Sequence, residues 1–224
     1  MPMIDADGCL INVSVESRDG GPTLMLSNSL GSTLQMWEPQ MKALTQIFRV
    51  IRYDRRGHGK SGVPPGPYSM ERFGRDVLAI LDDLNIEKTH WCGLSMGGMV
   101  GMWLGANAPE RINKLILSNT SSYMAAKDVW NDRIKIVREK GLGAIVGGTM
   151  ERWFTQDFRD HEPKKLQWIT DMFLSTRPEG FIACGARSRK RLVNQRSILA
   201  STMASRPFSR TSLIRPSHMV LSGK

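Results

Sequence analysis

The stretch Trp91-Cys92-Gly93-Leu94-Ser95-Met96-Gly97-Gly98-Met99 decides how this chain is read. A glycine two residues before a serine and another two residues after it permit a turn so tight that neighbouring side chains would collide. Between a strand and a helix, such a turn lifts the Ser95 hydroxyl clear of the backbone. The helix that follows aims its first N–H groups at any negative charge developing there. Thr89 to Cys92 reads as the strand and Met96 to Asn107 as the helix, with Gly98 allowing close packing on a sheet. Ser95 is therefore the candidate nucleophile, and the Met96 N–H is a candidate oxyanion donor.

Working outward, apolar runs alternate with helical stripes. Cys9 to Glu16 alternates with period two, Thr23 to Asn28 is a short buried strand, and Phe48 to Asp54 and Ile112 to Leu117 are strands again. Trp37, Met41, Leu44 and Ile47 share a helical stripe. A helix spans Ser69 to Leu84, with Ser69 as its N-cap and Phe73, Val77, Ile80, Leu81 and Leu84 on one face. Strand and helix in alternation predict an α/β fold, a mostly parallel sheet flanked by helices. From Ser121 to Cys184 the pattern becomes helix after helix, as a lid over the carboxyl edge of the sheet requires. Residues 1–120 are thus the first part of the core, 121–184 a helical lid, and 185–224 a tail.

Two loops accompany the elbow. Leu26-Ser27-Asn28-Ser29-Leu30-Gly31 is a strand followed by a small polar loop. Asp54-Arg55-Arg56-Gly57-His58-Gly59-Lys60-Ser61 is a glycine-rich turn that lacks the spacing of a phosphate loop, and His58 within it reads as a structural residue.

Together, Ser27 to Gly31 with Met36-Trp37, Tyr53 to Gly59, and Gly93 to Gly98 resemble the α/β-hydrolase superfamily, and more narrowly its 3-oxoadipate enol-lactonases. Most such hydrolases carry His-Gly where this chain has Asn28-Ser29, which sharpens the narrower match. The likeness covers about residues 1 to 184. It implies hydrolysis of 3-oxoadipate enol-lactone to 3-oxoadipate in the β-ketoadipate pathway of aromatic catabolism. The implied steps are Ser95 attack, an acyl-enzyme and water attack, with no cofactor. Aligning the family's loop from Trp37 puts the second oxyanion N–H at Leu30. The implied substrate is a small anionic lactone, so a cation near the lid would assist. Arg133 is the candidate, with Trp130 one turn earlier lining the same cleft and Asn28 in the loop beneath. Ordinary esterases and perhydrolases share the elbow and stay open as readings, as does a noncatalytic relative that binds acids in the lid cleft. Haloalkane dehalogenases carry Asp where this chain has Ser95.

Composition bounds the rest. The 224 residues suffice for one domain, and 41% hydrophobic with 23% charged residues is globular. No apolar run is long enough to span a membrane, and the first residues lack a secretory signal, which predicts a cytoplasmic protein. Cys9, Cys92 and Cys184 form no CxxC pair, so reduced core thiols are expected, with no disulfide framework and no metal site. The net charge of +10 is concentrated in the tail: nine Lys and Arg and no acidic residue lie between Gly185 and Lys224, leaving 22 basic against 21 acidic residues before it. A basic-tail nucleic-acid binder is the alternative of a different class. With Phe208 as its one aromatic, the tail offers little for stacking on bases.

The tail also conflicts with the resemblance. A serine nucleophile needs a base, and the base needs a carboxylate to orient it. In this superfamily the order is Ser, Asp, His, yet no Asp or Glu follows Glu179. His218 is the sole histidine of the tail and only six residues follow it, too few for the closing helix that the resemblance implies. Asp54 and Asp82 remain as acids only if folding brings them near. An out-of-frame or truncated C-terminus is therefore expected, with the last strands missing, activity impaired or absent, and low stability. The sequence leaves the oligomeric state open.

Overall fold

Strand β3 (Thr23–Ser27) runs through the middle of the sheet, and its alternating side chains assign the two faces. Leu24 and Leu26 join Met41 and Val50 in a small cluster on one face, while Met25 belongs to the main core with Ile51 and Trp91. Around β3 stand β4 (Arg49–Tyr53) on one side and β5 (Thr89–Leu94) on the other, both parallel to it, with β6 (Ile112–Ser118) parallel to β5. Beyond β4 come β2 (Leu10–Glu16) and β1 (Met3–Asp5), each antiparallel to its neighbour, giving the order β1-β2-β4-β3-β5-β6. The computed structural model describes residues 1–17, 20–122 and 127–186. His218 and the basic tail after Ala186 lie outside the described residues.

The crossovers explain the layers. Helix α1 (Glu38–Leu44) links β3 to β4 and covers the smaller cluster. Helices α2 (Met70–Asp83) and α3 (Met96–Asn107) lie on the main-core face. Ser69 caps α2 by accepting the Arg72 N–H at 3.0 Å, and Phe73, Val77, Ile80 and Leu81 are buried as their spacing predicts. Helix α3 packs against both β5 and α2, which accounts for the burial of most of its residues.

Two details differ from the periodicity. The short β1 has too few residues to register as a pattern; the backbone of β2 recruits it. Ile47 leaves the stripe it was expected to share and stands 54% exposed. The Thr45 hydroxyl turns back to the Met41 carbonyl at 2.8 Å, and the chain bends at Leu44 to enter β4.

Among the described residues five helices follow β6: α4 (Lys127–Lys140), α5 (Gly143–Trp153), α6 (Gln156–His161), α7 (Pro163–Leu174) and α8 (Pro178–Gly185). They return to the sheet's carboxyl-end loops. The Phe173 ring stands where a Cβ on Gly31 would be, and Gly180 passes backbone against backbone with Gly57. Tyr68 N–H donates to the Ala183 carbonyl at 3.0 Å. Among the described residues nothing pairs with the outer edge of β6, where Ile116 is 56% exposed. Among the described residues no helix is long and apolar enough to cross a membrane, and no cluster of three metal-ligating side chains exists. Cys9, Cys92 and Cys184 form no disulfide, and burial raises the pKa of Cys9 and of Cys92.

Candidate active site

The elbow is one residue long. Strand β5 ends at Leu94, α3 begins at Met96, and Ser95 between them takes φ 54 and ψ −112. A non-glycine residue at positive φ stores strain, which persists only where the surroundings enforce it. Here they do. Cβ atoms on Gly93 or Gly97 would come closer than 3.0 Å to the Gly97 carbonyl or to Ser27, so β5, the turn and β3 touch backbone to backbone. Ser95 N–H donates to the Ser118 carbonyl at 2.9 Å, and Thr120 Oγ1 donates to the Ser95 carbonyl at 2.6 Å. The half-buried Ser95 hydroxyl has no hydrogen-bond partner among the described residues.

The loop after β3 is fastened to the elbow. The Asn28 carbonyl accepts Gly97 N–H at 3.1 Å and Arg55 Nη2 at 2.5 Å, while Arg55 Nη1 reaches the Ser29 carbonyl at 3.3 Å. Gly31 N–H donates to His58 Nε2 at 2.9 Å. Between these fastened groups, the N–H groups of Leu30 and Met96 make no hydrogen bond among the described residues. Unpaired backbone N–H groups are uncommon in folded interiors, and Met96 directly follows Ser95 in the chain.

His58 is fully buried, and its pKa is lowered to about 3, first by burial and then by the Arg55 charge, with a backbone hydrogen bond to Arg56 opposing. It is therefore a neutral acceptor that holds Gly31, as the structural reading of this histidine predicts. Asp54 accepts from Asn12 Nδ2 at 2.7 Å, Leu34 N–H at 2.8 Å and Lys60 N–H at 3.0 Å. Asp82 pairs with Arg111 at 2.7 Å. Neither acid takes part in the elbow.

This arrangement has counterparts. Residues 22–169 match the family model of the alpha/beta hydrolase fold. The chain belongs to the α/β-hydrolase fold family. It is 37% identical to 3-oxoadipate enol-lactonase 2 of Acinetobacter baylyi over 81% of this chain and 68% of that protein. It superposes with a TM-score of 0.79 and 40% identity on the crystal structure of the enol-lactonase from Burkholderia xenovorans, over 81% of this chain and 71% of that one. A putative carbamate hydrolase RutD of Caulobacter segnis is 37% identical over 57% of this chain and 49% of that protein.

The remaining expected residues of this α/β-hydrolase fall in two places. Asn28, expected on the substrate, is committed elsewhere: Nδ2 donates to the Tyr53 carbonyl and Oδ1 accepts Trp37 Nε1, each at 2.9 Å, and the residue is 1% exposed. Trp130 and Arg133 come together on α4, with the guanidinium 5.4 Å from the indole ring. Arg55 and Thr120 escaped the sequence reading. Arg55 lay within a motif read only as a turn, and Thr120 lay in a stretch with no pattern, because its role depends on where the end of β6 falls beside the elbow.

Proposed function

We propose that this fold serves hydrolysis of 3-oxoadipate enol-lactone, with Ser95 as nucleophile and the N–H groups of Leu30 and Met96 as oxyanion donors. What carries the reading is the strained Ser95, whose hydroxyl has no hydrogen-bond partner among the described residues, together with two backbone N–H groups that likewise have none. Ser95 Oγ attacks the lactone carbonyl, whose oxygen becomes negative between the two donors. Collapse opens the ring and leaves an acyl group on Ser95, and water then releases the acid. Asn28 acts as a positioning residue, since its side chain and carbonyl hold the loop against the elbow. At similar coverage the enol-lactonase likeness is the stronger, 37% identity over 81% of this chain against 28% over 83% for a putative carbamate hydrolase, which favours the lactone.

The nucleophile still needs a proton acceptor. Among the described residues, His58 is locked as a buried acceptor, His90 packs edge-on against Phe48, and His161 stands exposed on α6 beside Asp157. We therefore propose that this chain turns over slowly or not at all as it stands. The test assays the purified chain, and a version carrying the C-terminal segment of an enol-lactonase relative after Cys184, on the enol-lactone and on a carbamate. The version with the relative's segment is expected to hydrolyse the lactone and to lose at least about a thousandfold in rate on Ser95→Ala. Equal rates with and without Ser95, or turnover of the carbamate alone, would refute the assignment.

A further inference from the structure

Three consecutive peptide groups in the loop after β3 are each tied down on one side. The carbonyl of the first, that of Asn28, accepts Arg55 Nη2 at 2.5 Å and Gly97 N–H at 3.1 Å. The carbonyl of the second, that of Ser29, accepts Arg55 Nη1 at 3.3 Å and the Ser32 hydroxyl at 3.0 Å. In the third, Gly31 N–H donates to His58 Nε2 at 2.9 Å. One guanidinium thus spans two successive carbonyls. Arg55 is 2% exposed, and its guanidinium lies 5.4 Å from the Phe73 ring of α2, so packing against that helix fixes where the fork stands.

The second of these peptide groups is the one that carries the Leu30 N–H. A trans peptide is planar, with its C=O and N–H pointing in opposite directions, and the bond between Ser29 and Leu30 is trans. Whatever holds the Ser29 carbonyl therefore aims the Leu30 N–H. Arg55 and Ser32 draw the carbonyl one way, and the N–H faces the other, where it meets no acceptor among the described residues. A cation against the carbonyl oxygen also withdraws electron density from the nitrogen, which makes the N–H a stronger donor. At Asn28 the same guanidinium meets a carbonyl that is shared with Gly97, the residue after Met96, and so holds the loop to the first turn of α3. A lysine ammonium would carry the charge but lacks the planar fork that reaches two carbonyls in one fixed geometry.

We propose that Arg55 is a positioning residue: its fork sets the peptide between Ser29 and Leu30, so that the Leu30 N–H is aimed and strengthened as a donor before any substrate arrives. That this donor meets an oxyanion rests on the proposed reaction; the setting of the peptide does not.

The experiment uses the full chain and a short trifluoromethyl ketone carrying a carboxylate. The Ser95 O–H adds across the ketone C=O, with Oγ bonding to carbon and the proton passing to the former carbonyl oxygen, and fluorine NMR follows the ionisation of the hydroxyl so formed. Arg55→Met is expected to make that hydroxyl at least about tenfold weaker as an acid, because its anion loses a well-aimed donor. Arg55→Lys, which keeps the charge, is expected to recover less than half of this loss. Ser32→Ala changes no charge and tests the same carbonyl should Arg55→Met fail to fold; it is expected to weaken the acid in the same direction. Amide spectra of the leucine-labelled chain read the peptide itself, and the Leu30 signal is expected to move in all three variants with no ligand present. Full recovery by Arg55→Lys would show that charge alone acts and would overturn the proposal, as would a Leu30 signal that Arg55→Lys leaves in place. A displaced Leu30 signal in a chain that forms no adduct, or that forms the same adduct with Ser95→Ala, would leave the setting of the peptide standing and remove only the oxyanion reading.

Discussion

A methyl group added at Gly97 would run into the Ser27 backbone, whereas one added at Gly147, in α5, would meet nothing within 4 Å. The same residue type thus does opposite work in the two regions. At the elbow, glycine is where three pieces of backbone cross, and the candidate oxyanion donors are backbone groups held by that crossing. In the helical layer glycine meets open space, and side chains make the contacts: Arg133 and Arg152 share the Thr149 hydroxyl. One region is set by backbone against backbone and the other by side chains.

The contrast can be broken by substitution. Gly97→Ala is expected to destabilise the fold by about 3 kcal/mol or more, because the obstructing atoms belong to the backbone and cannot swing aside. A urea midpoint within experimental error of the parent would show that the crossing is loose. His58 gives the next largest effect. Its pKa is about 3 in the folded chain against an ordinary 6.5, so below pH 6.5 the unfolded chain takes up a proton that the native one refuses. Stability from this group is complete above pH 6.5 and is lost as pH falls toward 3, by on the order of a few kcal/mol. Urea midpoints at pH 7 and pH 4.5 should differ less in His58→Gln, which keeps an acceptor for Gly31 but does not titrate. An equal difference in both proteins would place the acid sensitivity elsewhere. Smallest is Gly147→Ala, expected to raise stability by about 0.5–1 kcal/mol, since the helix gains propensity and nothing is displaced. A loss of stability there would mean that the helical layer is packed as tightly as the elbow.

Much of this was legible in the linear text. The run from Gly93 to Gly98 with its flanking strand and helix announced the turn, and β5, α3 and the capped α2 fall where their patterns put them. Other features were not readable, for identifiable reasons. β1 is three residues long and exists because β2 offers it an edge. Thr120 has no periodicity to betray it; it matters because β6 delivers it to the Ser95 carbonyl. The sharing of Thr149 by Arg133 and Arg152 joins residues on two helices, and no spacing rule brings them together.

The sequence by itself determined the α/β class, the position of the elbow and the compositional break at the tail, because each is written in local pattern: period, small residues at a turn, and charge. Tertiary structure alone decided that His58 is a buried acceptor and not a base, that Asn28 braces a loop, and that two arginines converge on one threonine. Those outcomes depend on burial and on contacts between distant segments, and folding has to bring the partners together before they exist.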